Sequence, residues 1–210
     1  MSRGILIVVS GFSGAGKGTL MKALLEKYDN YALSVSATTR DPRPGEQDGV
    51  QYFFKTRQEF EQMIRESAFI EYALYVDHYY GTPRAYVEEQ LQKGKDVILE
   101  IEVQGALNVK KKFPDTLLLF LTPPSAEELE RRLVGRGTES RKVIESRLDR
   151  AAEESACMQE YDYIVINDQL DECVDHVHQL IQQQHQASVH QTDFIQKIQK
   201  ELRERKEKQG

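Results

Sequence analysis

Seven residues near the start of the chain, Gly11-Phe12-Ser13-Gly14-Ala15-Gly16-Lys17, limit its fold more than any other stretch. They follow Ile5 to Val9, a short apolar run rich in β-branched residues that reads as a parallel strand buried on both faces. They precede Leu20, Met21, Leu24 and Leu25, whose spacing predicts a helix from Lys17 to about Tyr28. Between a strand and a helix, glycines let the backbone curl until successive N–H groups point inward at phosphate oxygens. The helix presents its positive end to the same anion. Lys17 is then placed to reach the β- and γ-phosphates of a nucleoside triphosphate as a point charge.

The usual form of this loop has Ser or Thr directly after the lysine, where its hydroxyl meets Mg²⁺. Here Gly18 takes that place and Thr19 follows, so Thr19 is the candidate magnesium contact. Lys-Gly-Thr resembles the version found in many nucleoside monophosphate kinases. The loop alone fits a GTPase, an ATPase or a kinase, so the second substrate has to be read elsewhere.

Strand-like runs at 31–36, 96–101, 116–121 and 163–166 alternate with helix-like stretches at 83–93, 125–135 and 140–161. That alternation predicts an α/β fold with a largely parallel sheet. Ser125-Ala126-Glu127-Glu128 reads as a helix-starting capping box. Residues 38–49 are a proline- and glycine-rich loop. Residues 50–82 form a tyrosine-rich insertion, with strands at 52–54 and 69–76 and a helix at 57–65. Beyond about residue 182 the chain is rich in Gln, Lys and Glu and reads as a solvated helix.

Composition excludes several classes. With 40% hydrophobic and 30% charged residues the chain is not disordered, and a net charge of -6 argues against a broad nucleic-acid face. No stretch approaches the length of a membrane span, so a cytoplasmic protein is expected. Cys157 and Cys173 lack metal-ligand spacing and read as reduced thiols, and the five histidines read as surface residues.

Two arginines held in a turn, Arg40 and Arg43, can grip a phosphate as a fork. They lie in Thr38-Thr39-Arg40-Asp41-Pro42-Arg43-Pro44-Gly45-Glu46, followed by Tyr52-Phe53-Phe54, Phe69-Ile70-Glu71-Tyr72 and Tyr79-Tyr80-Gly81-Thr82. From the glycine loop to about Asp168 the sequence closely resembles the guanylate kinases, and the segment 38–46 is highly specific to them. The resemblance implies ATP with Mg²⁺ as donor and GMP as acceptor. It implies that Arg40, Arg43, Tyr52 and Tyr80 bind the GMP phosphate, and that Glu71, Ser36 and Thr82 read guanine. The chemistry agrees, since an ionised carboxylate only accepts hydrogen bonds and guanine offers donors at N1 and N2.

The same resemblance extends to Val97–Gly105, whose acidic residues fit a site near magnesium or a contact to the acceptor nucleoside; Glu100 is favoured for the acceptor, and Glu102 stays open between a site role and a structural one. It makes the helix, Gly135-Arg136-Gly137 break and second helix a lid over about 125–159. Arg136 and Arg147 would close over the transferred phosphate, Arg132 would lie near adenine, and Asn167 would contact that base. The implied core is about 4–36, 83–124 and 160–186, with a GMP-binding subdomain at 37–82 and a polar helical tail at 187–210. Two other readings stay open: a kinase for another phosphorylated acceptor, and an interaction module that keeps the fold without the reaction.

Overall fold

The computed structural model describes residues 3–75, 77–135, 137 and 140–207. Five parallel strands make the main sheet: β1 (Leu6–Gly11), β2 (Tyr31–Leu33), β7 (Asp96–Glu100), β8 (Leu117–Thr122) and β9 (Tyr163–Ile166). Their order is β2-β7-β1-β8-β9, which puts β1 at the centre. Val8 pairs with Leu99 on one side and Leu118 on the other. Ile7, Val8 and Val9 are all at most 1% exposed, so both faces of the central strand are covered. That is the burial a continuously apolar strand requires.

Helices α1 (Lys17–Lys27), α3 (Arg84–Gln92), α4 (Val103–Lys112) and α7 (Leu170–Gln184) supply the cover. α1 packs on β1, β2 and α7, while α4 packs on β1 and α3 on β7. Two further helices, α5 (Ala126–Gly135) and α6 (Arg141–Ser155), pack on each other after β8. A last helix, α8 (Thr192–Glu207), follows a short 3₁₀ turn at Ser188–His190.

A second sheet stands apart from the first. Its strands are β3 (Ser36–Thr38), β4 (Tyr52–Phe54), β5 (Phe69–Tyr75) and β6 (His78–Pro83), in the order β4-β3-β6-β5. It has its own small core of Ala37, Phe60 and Phe69, closed by α2 (Arg57–Arg65). The Phe60 ring stacks on Phe69 at 4.4 Å and on Tyr79 at 5.1 Å. α2 begins with a complete capping box: Glu59 N–H donates to Thr56 Oγ1 and Thr56 N–H donates to Glu59 Oε2.

Several sequence expectations change here. The single strand expected at 31–36 is two strands in two sheets, because the backbone leaves the main sheet after Ser34 N–H donates to Ile98 O. β6 and α4 are elements that the sequence reading passed over. The capping box expected at Ser125 is half closed: Glu128 N–H donates to Ser125 Oγ, but the Glu128 carboxylate turns to Arg131 and Arg132 instead. The helix expected over 140–161 stops at Ser155 and gives way to a 3₁₀ turn at Met158–Glu160.

Candidate active site

The glycine loop joins the end of β1 to the start of α1, as its sequence context requires. Lys17 Nζ donates to the carbonyls of Gly11 at 2.7 Å and Phe12 at 3.2 Å, so the ammonium lies along the loop. Gly16 adopts φ 92°, in the left-handed region, and a Cβ there would lie 2.6 Å from Asn167 Nδ2. Only glycine allows that approach. Asn167 is buried at the end of β9, and its Nδ2 donates to Ala15 O at 2.8 Å. The sequence reading gave Asn167 to adenine alone; its amide also fastens the phosphate loop.

Arg132 reaches the same corner, donating from its guanidinium to Asn167 O at 2.9 Å and to Glu128 at 2.7 Å. Arg131 first, and Arg132 next, hold the Glu128 carboxyl down to about 2. Arg147 on α6 donates to Ser13 Oγ, so an arginine from the second of the paired helices already touches the phosphate loop. Arg150, one turn further along α6, donates to Glu102 at 2.7 Å and to Glu154 at 3.0 Å. Glu102 is therefore held in an ion pair with α6. Arg136, expected beside Arg147, lies outside the described residues. Thr19 is exposed on the first turn of α1, and Gly18 has open space around it.

The second sheet gathers the other expected residues. Antiparallel pairing of Ala37 with Gly81 and Thr38 with Tyr80 puts Ser36 opposite Thr82, and parallel pairing puts Ser36 beside Tyr52. Glu71 is 8% exposed, and its Oε1 accepts from Thr82 Oγ1 at 2.8 Å. Burial pushes its carboxyl above the ordinary range, opposed by the bonds from Thr82 and by the charge of Lys112. A Cβ on Gly105 would come within 3.4 Å of Glu71 Oε2, so Gly105 keeps that side of the carboxylate narrow but open.

Arg40 is fixed by Glu46 in a two-pronged bond of 2.9 and 3.0 Å. Its guanidinium also lies 5.4 Å from the Tyr52 ring centroid. The Tyr52 and Tyr80 rings meet at 6.0 Å. Glu46 further accepts from the Arg43 backbone N–H at 2.7 Å. Glu46 thus sets both arginines of the fork. The sequence reading quoted Glu46 without giving it a task, although a carboxylate three residues after Arg43 was a usable signal.

Glu100 sits at the end of β7, paired in register with Val9. Its side chain is exposed, yet surrounding protein pushes its carboxyl up while Lys17 pulls it down.

A loop built for phosphates at the centre of one sheet, facing arginines from the helices that follow, takes a triphosphate. A buried carboxylate and an arginine fork on a second sheet suit a base and a phosphate of another nucleotide. Fold and site together define a P-loop kinase of the nucleoside monophosphate class. A family model described as guanylate kinase matches residues 3–184. A guanylate kinase of Streptococcus agalactiae is 58% identical over 184 residues, covering 87% of this chain and 88% of that protein. One from Lactococcus lactis is 56% identical, covering 87% and 89%. The crystal structure of guanylate kinase from Anaplasma phagocytophilum matches with a TM-score of 0.67 at 33% identity, covering 86% of each chain. The chain belongs to the guanylate kinase family.

Proposed function

We propose that this chain transfers the γ-phosphoryl group of ATP to GMP, giving ADP and GDP, with the residues above as its working parts. The observation that carries the acceptor choice is Glu71: a buried, acceptor-only carboxylate held by Thr82 Oγ1 at 2.8 Å. Guanine N1–H and N2–H₂ can pair with it, whereas adenine N1 presents a lone pair and is repelled. Ser36 and Thr82 flank the base in this reading. Arg40, Arg43, Tyr52 and Tyr80 take the GMP phosphate, and Glu100 faces the acceptor nucleoside. The acceptor site thus centres on the unit 37–82, joined by Ser36 and Glu100, and works against the lid at 125–159.

On the donor side, backbone N–H groups of Gly11, Phe12, Ser13, Gly14, Ala15, Gly16, Lys17 and Gly18 cradle the phosphates. Arg132 and Asn167 line the adenine end. Among the described residues no group of three His, Cys, Asp or Glu could hold a metal on its own. The Thr19 hydroxyl, on the first turn of α1, is a hard oxygen that would suit Mg²⁺ arriving on ATP with much of its water. With ATP bound, Thr19 would help hold Mg²⁺, which would supply positive charge to offset the charge developing on the transferred group.

The acceptor is a phosphate oxygen, already ionised near neutral pH, so no strong general base is needed. The chain's task is alignment and charge neutralisation. Lys17 swings from its loop carbonyls to the β- and γ-phosphates, and Arg147 meets the transferred group together with Arg136. Closure of the two helices over the site keeps water from competing as acceptor. No helix among the described residues is long and apolar enough to cross a membrane.

The test is ADP formation from ATP and Mg²⁺ with GMP, AMP, UMP or CMP supplied separately. Turnover with GMP alone is expected, and Lys17→Ala should abolish it while the protein stays folded. Turnover with a different monophosphate would overturn the Glu71 reading, and none at all would favour an interaction module.

A further inference from the structure

The two oxygens of Glu71 have unlike surroundings. Oε1 accepts from Thr82 Oγ1 at 2.8 Å, on the side where Ser36 stands opposite Thr82. Oε2 lies toward α4, and its neighbour there is Gly105 in the first turn of that helix. Glycine is a poor choice within a helix, because it gives up more chain freedom than alanine and packs against nothing. Gly105 is not among the glycines with positive φ, so its backbone does not call for one.

Space calls for it instead. A Cβ at position 105 would lie 3.4 Å from Glu71 Oε2 and 3.3 Å from Ile101 Cδ1. Ile101 Cδ1 is the end of a flexible side chain and can give by a few tenths of an ångström, and 3.4 Å is ordinary contact. The fold would therefore accept alanine. What alanine would remove is the open side of Oε2. Nor is α4 free to back away, since it packs on β5 and Lys112 Nζ at its far end donates to Ile70 O at 3.5 Å.

Guanine carries O6, N1–H and the 2-amino group in a row along one edge. O6 is an acceptor, suited to the Ser36 hydroxyl on the Oε1 side. With O6 there, N1–H falls on Oε1 and the 2-amino group on Oε2, beside Gly105. We infer that Gly105 is a specificity-determining residue: its bare Cα keeps room for the guanine 2-amino group and so separates GMP from IMP. The base of IMP has the same O6 and N1–H but only hydrogen at C2. The inference rests on the guanine reading of Glu71 proposed above.

The test compares Gly105→Ala with the parent chain for GMP and for IMP, the latter read as turnover or as inhibition of GMP turnover. The KM for GMP should rise about tenfold or more, the scale of a lost hydrogen bond to a charged group. The constant for IMP should hardly move, so the preference for GMP narrows. The KM for ATP should hold, and the melting temperature should hold or rise, because alanine favours a helix. An unmoved KM for GMP would overturn the inference, and so would equal losses for GMP and IMP. A parent chain that takes GMP and IMP alike would overturn it without any mutation. Glu71→Gln is measured alongside. If it leaves GMP unaffected, the guanine reading falls and Gly105 with it; if it weakens GMP while Gly105→Ala does not, the role of Gly105 alone falls.

Discussion

Asn167 and Ala15 are 152 residues apart in sequence and 2.8 Å apart in space, the side-chain amide of one donating to the carbonyl of the other. The last strand of the sheet thereby holds the loop that follows the first. Asn167→Ala leaves the Ala15 carbonyl without that donor. The loss should be about 1–3 kcal/mol, the range for a buried group left unpaired. The expected outcome is a KM for ATP raised about tenfold or more, with the KM for GMP little changed. Separate titrations of the two substrates check it, and an unchanged KM for ATP would remove the tie from the account.

Glu71→Gln keeps the shape of the side chain but adds donors where guanine also donates. A charged hydrogen bond is worth about 1.5–3 kcal/mol, so the KM for GMP should rise roughly 10- to 150-fold while that for ATP holds. Equal losses for both substrates would point to a folding defect instead.

The same residue sets a pH dependence. Burial raises the folded-state pKa of Glu71 above the ordinary carboxylate range. Guanine needs the ionised form, so affinity for GMP should weaken as pH falls through that raised pKa, earlier than for an ordinary glutamate. Stability runs the other way: the folded state takes up the proton more readily than the unfolded one. This contribution is therefore fully present below the unfolded pKa and lost as pH rises through the folded one. Profiles of KM for GMP should keep only the acceptor phosphate's own titration in Glu71→Gln. A wild-type profile of identical shape would show that Glu71 does not titrate in binding.

Glu46→Gln should weaken GMP without touching the base. It removes the two-pronged bond that fixes Arg40 and the carboxylate that accepts from Arg43 N–H. A several-fold rise in KM for GMP is expected, with kcat also reduced if the phosphate is misaligned. Arg40→Lys should resemble it, because an ammonium cannot make the paired bond. Discrimination between GMP and AMP should survive in both variants, and its loss would mean that the fork and the base pocket are not separate.

A methyl group at position 81 has nowhere to go. A Cβ on Gly81 would sit 2.9 Å from Tyr72 Cβ and 3.0 Å from both Glu71 O and Phe60 Cζ. Gly81→Ala should cost about 1–3 kcal/mol, as overpacking does. The loss should fall on the second sheet, read as faster amide exchange in β5 and β6 with β1 and β8 protected as before. Uniform exchange across both sheets would contradict the separation of their cores.

The parts of the fold legible in sequence were those whose signal is local. The strand at Tyr163–Ile166 and the helix at Arg57–Arg65 were read to the residue. Residues 31–36 were misread because leaving one sheet for another needs no break in β-pattern. α4 was missed because its stripe, Val103, Ala106 and Val109, starts where the apolar run of β7 ends. At the site, residue type and order offered the glycine loop, the arginines and Glu71 as candidates. What stayed hidden were pairings set only by tertiary structure: Asn167 with Ala15, Arg150 with Glu102, Arg147 with Ser13. No spacing rule announces a bond between residues 48 to 152 positions apart.

The small aromatic core under the second sheet, three buried side chains against several dozen in the main one, gives the molecule two thresholds of failure. Regions with little buried apolar contact open at lower free energy than the rest. Under heat or denaturant the chain should become blind to GMP while it still grips ATP. Such a half-open enzyme idles without an acceptor, and it recovers as soon as Phe60, Phe69 and Tyr79 restack.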